Sequence, residues 1–223
     1  MPEAALPQDH KFYPAMATVL AVLVFAGFTP SFYARGWSVE AAPLALPVVL
    51  HGVAGTLFVL VFAAQSWLIA AGRVAWHRKL GPVGALLAAA FVASGIGVIV
   101  NLERGHVSEP TRVFAAHVWA NAAPLAAFAL LVAAGVWQRG AAARHKRLML
   151  LAAVVLLPPG AGRLFAVLDV AWLSLPVVVC AAFANAVYDV MTRGRPHALS
   201  LWLAAALVAM DLVTTRWLAV VGS

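Results

Sequence analysis

Residues 46–71 read LPVVLHGVAGTLFVLVFAAQSWLIAA, twenty-six positions without one charged side chain. As a helix rising about 1.5 Å per residue, such a run exceeds the ~30 Å of hydrocarbon in a bilayer. Six further stretches have the same character: 14–34, 82–100, 113–137, 147–168, 172–191 and 198–220. The breaks between them (ARGWSVEAAP, GRVAWHRKLGP, NLERGHVSEPTR, WQRGAAARHKR and TRGRPH) collect the charge, proline and glycine. The weakest break is 163–172, where only Arg163 and Asp169 interrupt apolar sequence, so six spans is the competing count. With 64% of its 223 residues hydrophobic and 10% charged, the chain holds more apolar surface than a water-soluble core of this size takes up. The expected fold is all-α: a polytopic integral membrane helical bundle of about seven transmembrane helices, one domain over 1–223.

Lys and Arg set the orientation. With the N-terminus inside, ten of the fifteen basic residues fall on inner segments: Lys11, Arg73, Arg78, Lys79, Arg139, Arg144, Lys146, Arg147, Arg193 and Arg195. Arg35, Arg104, Arg112, Arg163 and Arg216 fall on the outer half. This placement points to a multi-pass membrane protein with its N-terminus inside and the bilayer as its main partner. It argues against nucleic acid, despite the net charge of +7, because the cations are dispersed over short connections. The opening MPEAALPQDHKFYP lacks a basic region before a short apolar core, so the first span reads as a retained anchor. One cysteine, Cys180, allows no internal disulfide. The eight tryptophans fall mostly near span ends, as an interfacial aromatic belt requires.

Counting along each span places the polar groups by depth. His51 lies about one turn inside the second span and His117 about one turn inside the fourth, both near the outer side, with Asn121 one turn beyond His117 on the same face. Arg163 and Arg216 lie toward the outer ends of the fifth and seventh. Asp211 is near mid-membrane, where a carboxylate costs at least ~2.5–3.5 kcal/mol and needs a partner or a function. Asp211 and Arg216 are turned by roughly 140° from one another, so they do not share a face. Pro158 and Pro159 in LLPPGAGR remove two backbone donors mid-span, and the freed carbonyls need protein or a water-filled cavity. These features suggest a polar pocket in the outer leaflet walled by the second, fourth, fifth and seventh spans. Gln65 reads as mid-span. At the inner surface, His77, His145 and His197 stand among Lys and Arg as solvated anchors, Asn185 with Asp189 reads as a cap-like interfacial pair, and His10 and His106 read as loop residues.

The stretches HGVAGTLF…WHRKLG, RHKRLMLLA and FYPAMATVLAVLVFAGFTPSFY resemble an uncharacterised group of bacterial multi-pass inner-membrane proteins. That likeness covers nearly the whole chain and implies no mechanism. More distantly, the order of histidines resembles the two-haem, four-histidine transmembrane cytochromes of the b type. In those proteins histidines on the first and third helices of a four-helix core bind one haem, and those on the second and fourth bind the other. The resemblance implies that His51 and His117 ligate a haem b in the outer leaflet, with His77 and His145 as a second pair. Arg163 and Arg216 would then meet the cofactor carboxylates, since guanidinium matches carboxylate in bidentate geometry.

Three functions follow as expectations. The first is a membrane redox protein that binds haem b at His51 and His117 and passes single electrons to a quinone or a periplasmic partner. The second is a proton-coupled small-solute carrier or channel that uses the Pro158–Pro159 break as binding site and Asp211 as proton site. The third is a cofactor-free assembly or scaffold protein whose polar groups only hold helices together, each contact worth about 0.6 kcal/mol. The sequence contains no GxGxxG before a strand, phosphate loop, CxxC, HExxH or GxSxG.

Overall fold

The computed structural model describes residues 6–37, 42–106 and 111–221. The side chains of Arg104, His106 and Arg112 lie outside the described part. Eight α-helices follow one another: α1 (Asp9–Phe28), continued by a π-helical turn (Thr29–Tyr33), α2 (Leu46–Ala70), α3 (Val74–His106), α4 (Thr111–Trp137), α5 (Ala142–Val154), α6 (Leu157–Val167), α7 (Ser174–Arg193) and α8 (Ala198–Val221). Six spans are long and apolar enough to cross a membrane; α5 and α6, bent by 40° at their junction, make a seventh when taken as one span.

Two boundaries differ from the sequence expectation. α1 begins at Asp9, five residues before 14, because the Asp9 carboxylate accepts the Leu6 amide (2.7 Å) and opposes the helix dipole in the first turn. His10 therefore sits on this first turn, exposed, and not in a loop. α3 begins at Val74 and carries Pro82 inside it. The stretch GRVAWHRKLGP reads as a break by composition, but the actual turn is Gly72–Arg73, with Gly72 in the left-handed region at φ 71°.

α5 is the axis of the bundle. It packs against α1, α4, α7 and α8, and Leu150, Leu151, Ala152 and Val154 are all at most 2% exposed. A helix apolar on every side belongs inside a bundle, and LMLLAAVV after Arg147 has that pattern. The other spans keep apolar residues turned outward: Leu86, Leu130, Met191 and Trp202 are each at least 70% exposed, as a lipid-facing surface requires. At Val155–Leu156 the axial helix ends. Pro158 and Pro159 fall in the first turn of α6, where their missing N–H groups are not needed. α6 then leaves the axis and lies between α1 and α7.

The α1–α6 crossing is a backbone-to-backbone approach. A Cβ on Gly27 would collide with the Gly160 carbonyl, while one on Gly160 would meet the Val24 backbone in ordinary contact at 3.4 Å. Small residues at such a crossing let helices associate in lipid. Gly27→Val is expected to lower thermal stability in detergent by about 1–3 kcal/mol. Gly140→Ala, at a position where a Cβ meets nothing within 4 Å, should stay within about 0.5 kcal/mol.

Candidate functional site

The bend leaves space. α5 fills the axis over the half of the bundle that carries most basic residues (the basic end), and α6 vacates it over the other half (the far end). The vacated volume is a cavity of about 670 Å³, within the size range of small-molecule sites. Its floor includes Val59, Phe128 and Val154, and its walls come from α1, α2, α3, α4, α6, α7 and α8. Most lining residues are Val, Leu, Phe or Ala, and the polar ones are few: Tyr33, His51, Thr56, Asn121, Arg163 and Asp211 lead them.

His51 stacks on Phe91 (ring centroids 4.0 Å) and its Nδ1 lies 3.0 Å from the Phe91 carbonyl. A carbonyl only accepts, so Nδ1 carries the proton and Nε2 keeps its lone pair. By the same logic Thr56 donates to the Gly52 carbonyl (2.6 Å), so Tyr33 donates to Thr56 Oγ1 (2.7 Å). Asn121 spends one N–H on the His117 carbonyl (2.9 Å) and retains its oxygen. Arg163 donates to the Pro159 carbonyl (2.8 Å), so the proline break supplies the acceptor that holds the guanidinium, and it lies over the Phe28 ring at 4.8 Å. Among the described residues neither Arg163 nor Asp211 has an ion-pair partner. Arg35 lines the cavity as well, held on the Ala42 carbonyl (2.9 Å), so the cavity presents two guanidinium groups and one carboxylate with no ion pair between them among the described residues.

The structure brings His51, Asn121, Arg163, Asp211, Pro158 and Pro159 to this cavity. His117 and Arg216 are not among its lining residues. His117 is partly buried on α4, and Arg216 is exposed on α8. The inner histidines are close to one another instead. The rings of His77 and His145 lie edge to face with centroids 6.1 Å apart, and His145 Nδ1 donates to the Gly135 carbonyl at 2.8 Å. Gln65, near the end of α2, faces His77 through its backbone carbonyl. His77, His145 and His197 are partly buried, not separately solvated, because the start of α5 carries His145 inward with the axis. Among the described residues no three His, Cys, Asp or Glu side chains gather as a metal site.

Sequence reading missed the polar cluster at the basic end. Arg147 and Asp189 are both fully buried and pair in bidentate fashion, Nε to Oδ2 at 3.0 Å and Nη2 to Oδ1. Asp189 also accepts the His197 amide (3.3 Å) at the start of α8. Beside this pair, Asp9 accepts Lys146 Nζ (2.8 Å) and Tyr188 OH (2.8 Å), with Arg193 at 3.6 Å. Phe12 stacks flat on Tyr188 at 4.1 Å. The cluster therefore ties α1, α5, α7 and the start of α8 together. Asn185 and Asp189 are not an interfacial cap but are 1% and 0% exposed. The signal was present: a helix apolar all round must bring the arginine at its start into the bundle, and that cation requires a carboxylate at equal depth.

Losing one partner of a fully buried pair leaves an uncompensated charge. Arg147→Met or Asp189→Leu alone is expected to cost about 3–5 kcal/mol, and the double variant to recover most of it. Thermal unfolding in detergent measures this; single variants costing under ~1 kcal/mol would make the pair no more than a surface contact. In comparisons with known proteins, no family model, no curated protein and no solved structure matches the chain.

Proposed function

We propose that the chain is an integral membrane carrier that binds a small amphipathic organic anion in the far-end cavity and moves it together with a proton. The observation that carries this reading is the pair of unneutralised groups, Arg163 and Asp211, lining one cavity at a break in a membrane helix. Ionisable groups within membrane spans are costly and usually functional, and broken helices are where transporters place their substrates. Arg163, fixed by the Pro159 carbonyl, suits a carboxylate. The Val, Phe and Leu walls suit an apolar body. Asp211 takes and releases the proton. The excess of basic residues at one end supports a cytoplasmic position for that end, and on this reading of a bacterial inner-membrane protein the cavity lies in the outer leaflet.

Purified protein in liposomes, with a pH-sensitive dye inside and a panel of short aliphatic and aromatic monocarboxylates outside, tests this. One class of acid should drive proton movement. Asp211→Asn should abolish it while leaving solute binding in place. Arg163→Gln should weaken binding by roughly 30-fold or more, the equivalent of about 2 kcal/mol for a desolvated charge partner. Proton movement by Asp211→Asn equal to the parent would refute the carrier.

A redox reading keeps one observation of its own, the His77–His145 approach. The Gly135 carbonyl fixes the His145 tautomer as backbone partners of ligating histidines do. On this reading His77 and His145 hold the haem iron, which supplies one-electron chemistry when bound, and His51 serves the cavity. An absorption spectrum decides: a reducible Soret band lost in His145→Ala favours the redox protein, and a band lost in His51→Ala and retained in His145→Ala returns the cofactor to the far end. Colourless protein without proton transport leaves the scaffold reading.

A further inference from the structure

One turn above the Arg147–Asp189 pair, on the side of the cavity, a second group of polar atoms lies buried. Asn185 is 1% exposed and Ser200 is 0% exposed. Asn185 Nδ2 and Oδ1, Ser200 Oγ and Tyr13 OH have no hydrogen-bond partner among the described residues. Asn185 stands one turn before Asp189 on α7. Ser200 stands three residues after His197, whose amide binds Asp189, on the antiparallel neighbour α8. The two therefore occupy the same level on packed helices. Tyr13 comes from α1, under the Lys146 ammonium at 5.0 Å and against Tyr188 at 6.2 Å.

Leaving a buried donor or acceptor unmade costs about 1–3 kcal/mol each. Four such atoms close to one buried ion pair are an expense that a marginally stable bundle does not carry without return. Buried water is the usual partner where several polar groups converge, and each water takes two to four of them. What lies above this level is small. Ala182, three residues before Asn185 and so about 4.5 Å nearer the cavity, already lines it, and Ala204, one turn after Ser200 on α8, is fully buried.

We propose that Tyr13, Asn185 and Ser200 hold a cluster of ordered water that joins the Arg147–Asp189 pair to the floor of the cavity and serves as the proton route to the basic end. The proton role rests on the carrier reading; the bound water does not. The route transfers only protons along hydrogen bonds: the Asp211 carboxyl gives one to water in the cavity, and the cluster releases one to solvent past Asp9. The groups facing it are Asp189, Arg147, Asp9, Lys146, Arg193, Tyr188 and His197. Arg147 does not bar a proton, because its charge is matched by the Asp189 carboxylate in contact with it.

Hydroxyl-radical labelling of the intact protein in lipid nanodiscs, read by mass spectrometry, reports bound water independently of transport. Tyr13 should label well above Phe58, which is 2% exposed, packed among aromatic side chains and not among the residues that line the cavity. Ser200→Ala combined with Asn185→Leu should bring Tyr13 down to the Phe58 level, leave solute binding in the cavity unchanged and abolish proton movement. Should that pair fail to fold, Ser200→Ala alone should lower both signals together. Tyr13 labelling no higher than Phe58 in the parent overturns the water cluster. Proton movement unchanged in a variant that has lost the labelling overturns the route. Strong labelling in a parent that moves no protons upholds the water cluster and counts against the carrier alone.

Discussion

Two consecutive prolines cannot stand in the interior of a helix, and this molecule is arranged around that prohibition. The chain solves it by ending α5 at Val154 and restarting at Leu157, so that Pro158 and Pro159 occupy positions where no amide is required. The solution has a geometric consequence. α5 is the helix that α1, α4, α7 and α8 pack upon, so bending it by 40° empties the axis over half the bundle. The volume becomes the cavity, and Pro159, freed from an ordinary role, gives its carbonyl to Arg163.

A bent axial helix needs anchoring at the end that stays central. The Arg147–Asp189 pair performs this at α5, and Asp9 with Lys146 and Tyr188 extends it to α1 and α7. Buried ion pairs contribute little net stability against an apolar replacement, but they are costly to break singly. Their value here is position: they hold α1, α5 and α7 at one depth, while the Gly27–Gly160 crossing locks α6 to α1 at the other. The cavity lies between two fixed points, one polar and one made of close backbone packing.

Much of this was legible by counting. Bilayer thickness bounds span length, so the ranges 46–71, 113–137 and 198–220 match α2, α4 and α8 within two residues. Depth was legible in the same way: counting puts His51, Asn121 and Arg163 toward one end of their spans and Asp211 near the middle of its own, and one cavity joins them. Direction around the helix was not. His117 shares the depth of His51, yet it does not line the cavity, and Arg216 points away from the cavity into exposed surface. Azimuth depends on which helices are neighbours, and a span apolar on all sides carries no moment that announces them. The Asp9–Lys146 contact joins residues 137 apart, a separation that no local pattern encodes. Arg147 reads as an orientation charge by its place in the chain, and only the all-round apolar run LMLLAAVV after it marks it for burial.

The account stands on the cavity being a solute site at the far side of a membrane, and accessibility measures that most directly. In a Cys180→Ser background, Thr214→Cys puts a thiol on the cavity wall. A membrane-impermeant thiol reagent added on the periplasmic side should modify it, and the transported acid should protect it. Modification only from the cytoplasmic side, or modification that no acid slows, would contradict the account.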